Sequence, residues 1–191
     1  MTVLGAVLRT VLATGTALAV LTACGEPESP ILNKDAIPMN LRTLPTLKQT
    51  QNQMLDLIEA VRVRIAAEAP QAGAWHWADG WSGSGCTDDA GDSGIALYFP
   101  DLTAKYGLST AEWDRVLPAV TALAAEAGLT EVAMPQNSET NHDARFTSGD
   151  GRELLVGSSV ATVITARISC RREAGDPIDV DGVIPMPPDP A

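Results

Sequence analysis

Positive charge is scarce in this 191-residue chain, with 13 Lys and Arg against 24 Asp and Glu and a formal charge of −11 at pH 7. A nucleic-acid partner needs a cationic stripe that displaces counterions from phosphates, so no nucleic acid is expected here. Aromatic residues are also few, 4% of the chain, and half of them are Trp. The core must therefore be aliphatic, and with 45% hydrophobic residues there is enough apolar material for one domain. Three cysteines and two histidines, His76 and His142, offer no Cys-x-x-Cys and no metal-ligand spacing. Neither a metal site nor a cofactor is read.

A long apolar run is missing as well. Residues 1–23 carry one charge, Arg9, and then an apolar stretch from Thr10 to Ala23 that is diluted by Thr and Gly. It is too short and too mixed for a comfortable membrane span. A cationic start, an apolar centre and a small-residue end make residues 1–23 a secretory signal. Its end, Leu21-Thr22-Ala23-Cys24, resembles the lipobox of bacterial lipoproteins, in which the cysteine thiol receives diacylglycerol and becomes the new, often acylated, amino terminus. Two or three acyl chains, at about 0.8 kcal/mol per buried methylene, would anchor the protein durably. The expected partner is the membrane, through Cys24, and the expected location is the extracytoplasmic face. Cleavage would remove Arg9 and no acid, leaving 12 cations against 24 carboxylates, so acyl chains and no basic patch would do the holding.

With Cys24 lipidated, Cys86 and Cys170 remain as an even pair in an oxidising compartment, and a disulfide between them is predicted. Cys170 ends a strand-like run in which Val160, Thr162, Ile164, Ala166 and Ile168 share its face, which points it inward. A bridge closing about 85 residues would contribute roughly 4–5 kcal/mol on the loop-entropy model.

Residues 24–43, polar and Pro-bearing, read as a tether. In the domain, residues 44–173, an amphipathic helix is predicted up to Ala69, with Leu47, Met54, Ile58, Val61 and Ile65 on one face. Residues 72–94, rich in Gly, Ser, Asp and Trp, read as a long loop pinned by Cys86. A short strand over 95–99 is stopped by Pro100, and Ser109-Thr110-Ala111-Glu112 opens a second helix that Pro118 should kink and Gly128 should cap. Strands near 130–134, on both sides of Gly149-Asp150-Gly151, and at 160–170 complete an α+β fold. The expected architecture is an antiparallel sheet with two amphipathic helices on one face and one disulfide. Residues 174–191, acidic and Pro-rich, read as a disordered tail.

The lipobox cysteine, the tether, the first helix, Trp75, the stretch Trp81-Ser82-Gly83-Ser84-Gly85-Cys86, the helix opening at Glu112-Trp113, the Gly-rich hairpin and the last strand ending in Cys170 together resemble the LppA-like lipoproteins of mycobacteria and related actinobacteria. The resemblance covers most of the chain beyond the signal and departs from it in the Pro-rich tail. It implies a location and a fold, and no reaction.

Chemistry is thinly represented. Gly80-Trp81-Ser82-Gly83-Ser84 lacks the last glycine of a nucleophile elbow. His142-Asp143 is the pair a hydrolase would use with a serine from elsewhere in the fold. Asp79, Asp88, Asp89 and Asp92 make an oxygen-rich loop without the alternating spacing of a calcium site. Trp75, Trp77 and Trp81 could stack on an envelope ligand, or could cover the disulfide and close the core. The expected role is a lipid-anchored, non-catalytic binding module, with no catalytic residue assigned. The alternatives are the His142/Asp143 hydrolase and a carrier of lipid or another apolar ligand in a cavity between helix and sheet.

Overall fold

The computed structural model describes residues 40–173 and 186–190. The signal, Cys24 and most of the tether and tail lie outside the described residues. The chain becomes part of the domain at Leu41, which is fully buried. Its N–H donates to Asp88 and its carbonyl accepts from Arg172, so this end is pinned to two distant segments.

Helix α1 spans Leu47–Glu68 and α2 spans Thr110–Glu126. Each opens with a capping box, Thr46 with Gln49 and Ser109 with Glu112, in which side chains satisfy amides that the first turn leaves without partners. Along α1, Leu47, Met54, Ile58, Val61 and Ile65 are buried as their spacing predicts. On α2 the buried stripe is Trp113, Val116, Val120 and Ala124, and the helix runs unbroken through Pro118. Pro118 lies on its exposed side, where a carbonyl deprived of an amide can take water instead. Gly128, at φ 83°, follows the helix end, and the N–H of Leu129 closes back on the carbonyl of Ala124.

Eight strands form one antiparallel sheet: β1 Trp75–Ala78, β2 Ser82–Thr87, β3 Ser93–Tyr98, β4 Asp101–Ala104, β5 Glu131–Asn137, β6 His142–Thr147, β7 Arg152–Ser158 and β8 Thr162–Arg171. The ten-residue β8 is central. Its first residues pair with β4 and its last with β3, while β7 runs along its other side, followed by β6 and β5. β1 and β2 lie end to end outside β4 and β3, so this side of the sheet is two long strands, each broken once.

These breaks explain where the sequence misleads. Residues 72–94 are not a long loop but contain β1 and β2. The Gly- and Ser-rich β2 shows no apolar alternation because it is an edge strand held by its backbone ladder to β3. Pro100 stops β3 as expected, but pairing along β8 resumes beyond it in β4. The proline occupies a one-residue shift in register between β3 and β4, where a missing N–H costs no ladder bond. At β8 the inward face holds from Thr162 to Cys170, but Val160 is 91% exposed because it belongs to the turn before the strand.

The core lies between helices and sheet, where Met54, Ile58 and Val61 of α1 and Trp113, Val116 and Val120 of α2 join Leu154, Val156, Ile164, Ala166 and Ile168. The predicted disulfide is present between Cys86 and Cys170, 84 residues apart, with Cα atoms 5.8 Å from one another. It ties the edge strand β2 to the end of the central strand.

Candidate functional site

The three tryptophans of the β1–β2 edge have different surroundings. Trp75 and Trp77, two residues apart on one strand, share the core face of the sheet. Trp75, opposite the small Ala104, is 3% exposed and part of the core. Trp77 is half-buried at the core's margin. Trp81 stands in the break after β1, its ring 4.8 Å from that of Phe99 and tilted by 56°. The break itself turns at Asp79, the one non-glycine at positive φ (60°) among the described residues, a conformation that Asp tolerates better than most residues.

Trp77 is the one that presents donors outward. Its main-chain N–H, on the side of β1 away from β4, donates to the Asp189 carboxylate at 3.0 Å, and its indole N–H donates to the Pro188 carbonyl at 3.3 Å. The indole nitrogens of Trp75 and Trp81 are buried without a partner. Sequence reasoning placed the tryptophans in one candidate group but not Pro188 and Asp189. The signal for those was the Pro-Pro-Asp-Pro run in a segment read as disordered.

The acidic loop is consumed by structure. Asp88 accepts from the N–H groups of Leu41, Ala90 and Asp92, and those bonds, that from Leu41 above all, hold its carboxyl below the usual range. Asp92 takes a two-pronged contact from Arg42, whose guanidinium lowers the carboxyl in the same way. Among the described residues no three His, Cys, Asp or Glu side chains are grouped as a metal site.

His142 and Asp143 do not work together. As neighbours on β6 they point to opposite faces of the sheet. His142 is buried, stacked on Trp113 with ring centroids 5.1 Å apart, its Nδ1 3.0 Å from the Asn137 amide oxygen and its Nε2 without a partner. No hydroxyl lies in reach of that nitrogen, so the geometry gives no support to a nucleophile–base pair.

Two buried charge clusters escaped the sequence. Arg171, fully buried, donates to the Asp150 carboxylate and carbonyl, to Ser169 and to the Cys170 carbonyl. Burial pulls its guanidinium below its ordinary value. Burial pushes the Asp150 carboxyl up, but bonds from Ser148 and Arg152 and the charges of Arg152 and Arg171 outweigh it, and the carboxyl stays below its usual range. Glu153, 1% exposed, sits between Arg145 at 3.8 Å and Arg167 at 3.6 Å with neither oxygen hydrogen-bonded. Both clusters brace strands; Asp150 also reaches the rim of an open groove, but its carboxylate is taken up by Ser148, Arg152 and Arg171.

A groove of about 610 Å³ lies between α1 and α2 beside the β6–β7 turn. It is open, floored by Leu57, Ala60 and Leu123 and rimmed by Asp56, Glu126 and Asp150, a lining unlike the enclosed apolar cavity that a lipid carrier requires. Among the described residues no helix is long and apolar enough to cross a membrane.

Comparison with known proteins agrees with this geometry. Residues 26–174 match the model of the LppA family, described as a lipoprotein confined to pathogenic Mycobacterium. Among solved structures the chain is similar to a DUF4853 family protein from Actinomyces odontolyticus, at 14% identity and a TM-score of 0.50 over 78% of this chain and 81% of that one. It is also similar to the putative lipoprotein LppA from Mycobacterium tuberculosis, at 11% identity and a TM-score of 0.51 over 70% of this chain and 82% of that one. At such identities the likeness is one of fold. No curated protein matches the chain.

Proposed function

Because this chain belongs to the LppA lipoprotein family, we propose that it is a non-catalytic binding module, anchored through acyl chains on Cys24 to the extracytoplasmic face of the cell membrane. The observation that supports the exposed side of the membrane is the Cys86–Cys170 bridge, since such a bond persists in an oxidising compartment and not in the cytoplasm. Binding, as opposed to catalysis, is favoured by a surface that offers paired main-chain and indole donors at Trp77, while His142 lacks a nucleophile. Trp81 flanks that surface and Trp75 supports it from the core.

Anchoring is tested by feeding cells an alkyne fatty acid. The intact chain should be labelled and fractionate with membranes, and Cys24→Ser should lose both properties; a labelled Cys24→Ser protein would overturn the assignment. Binding is tested with a photocrosslinking residue at Gly80, where an added side chain meets no atom within 4 Å. A defined adduct should form in the envelope and vanish in the Trp77→Ala variant, provided that variant stays folded. An adduct indifferent to Trp77, or none, would remove the binding reading.

A further inference from the structure

The residues that fill the Trp77 surface identify what it recognises. Met186–Pro190 reads Met-Pro-Pro-Asp-Pro, three prolines in five residues, and it reaches Trp77 from more than a hundred residues along the chain. Proline fixes its own φ and biases the preceding residue to extended backbone, so such a segment is stiff before it binds and loses little entropy on docking. Its three prolines carry no amide donor, so at those positions, Pro188 included, the carbonyl is the one main-chain group to be read. An aromatic side chain with an N–H directed at a carbonyl is the general way in which proteins read proline-rich segments. Trp77 does this with Pro188. The Asp189 carboxylate then closes the free amide of Trp77 on an edge strand that would otherwise invite another chain to pair.

We infer that the Trp77 edge of β1 is a recognition site for an extended, proline-rich peptide bearing a carboxylate, and that Met186–Pro190 is its resident occupant, holding the site closed until a competing segment displaces it. This rests on the reading of Trp77 as the binding surface and adds the ligand's chemistry and the regulation. Tethering gives the resident segment a high effective concentration, so a competitor in solution meets a closed site. Since the domain and the peptide are both acidic, long-range Coulomb forces oppose their association. Binding should therefore tighten with added salt, opposite to a site built on ion pairing.

The test uses the full chain without its signal, labelled with ¹⁵N, and a variant in which Pro187, Pro188 and Asp189 are each replaced by Ser. The substitutions should move the indole and amide signals of Trp77 and leave the buried Trp113 indole signal in place. A synthetic peptide of residues 184–191 should return those signals toward their original positions. It should bind the substituted chain at least about tenfold more tightly than the intact one. Adding Trp77→Phe to the substituted chain should weaken the peptide at least about fivefold, with the Trp113 signal reporting that the fold is kept. Unmoved Trp77 signals would overturn the docking of the tail and leave the Gly80 crosslink to judge the surface separately. Signals that move but ignore the peptide up to about 5 mM, or a peptide indifferent to Trp77→Phe, would overturn the recognition site itself.

Discussion

Gly94 keeps the path of Cys170 clear: a Cβ at position 94 would stand 3.0 Å from the Cys170 sulfur and 2.5 Å from the carbonyl oxygen of Arg171. Gly94 is paired with Cys86 across β2 and β3, so the disulfide and the end of β8 converge on the one residue without a side chain. Backbone cannot retreat as a flexible side chain can, and Gly94→Ala should destabilise the domain by about 1–3 kcal/mol. Urea unfolding of the oxidised protein measures it. The same substitution at Gly85, where nothing lies within 4 Å, should be close to neutral.

Loss of the bridge itself should be larger. Cys86→Ser with Cys170→Ser frees a loop of 84 residues and should cost about 2–5 kcal/mol, read as a lower urea midpoint. Helix content by circular dichroism should persist in the absence of urea, because α1 and α2 pack on the middle of the sheet and not on the bridge.

Acid should weaken the protein through Asp150. Its folded carboxyl titrates below its unfolded value, so its stabilisation is complete above about pH 4 and disappears as the pH falls through the folded value. Glu112 adds to the same limb. Burial opposes its charge, but the Ser109 N–H and O–H and the Tyr106 O–H together hold it below its usual range. Asp150→Asn removes the charge facing the buried Arg171 and should cost about 3 kcal/mol at pH 7. Its stability should then fall less between pH 5 and pH 2 than that of the wild type. Thermal midpoints across that range decide it, and parallel slopes would contradict this account.

What the sequence made legible was whatever depends on local pattern. The i, i+4 spacing in α1, the Ser109–Glu112 box, Gly128 at a positive φ and the inward alternation from Thr162 to Cys170 are all set by neighbours in the chain. The pairing of two cysteines followed from parity and compartment. What stayed hidden was decided by distant partners. β1 offers only Trp75 and Trp77 as an alternating pair and β2 no apolar alternation at all, because a ladder to β4 and β3 holds them. Arg171 and Glu153 alternate with core residues as solvent-facing charges would, and only the β6–β7 turn and flanking arginines bury them. Within the Trp group, the sequence could not say that Trp75 faces the core and Trp77 its margin, since that depends on where the tail lies.

That division of the tryptophans gives the sharpest contrast between two substitutions. Trp75, 3% exposed opposite Ala104, loses a full buried indole on replacement by Ala, and cavity formation in a core that cannot close around it should cost about 3–5 kcal/mol. Trp77 sits at the margin, with Pro188 and Asp189 as its outward partners, so Trp77→Ala should cost less than half as much while exposing the β1 edge. Chemical denaturation ranks the two, and size-exclusion chromatography of the folded variants reads the second effect. An uncovered edge strand pairs with other chains, so Trp77→Ala should associate at concentrations where the wild type is monodisperse. Equal destabilisation by both substitutions, with no association, would mean that Trp77 is a core residue like Trp75 and that the tail protects nothing.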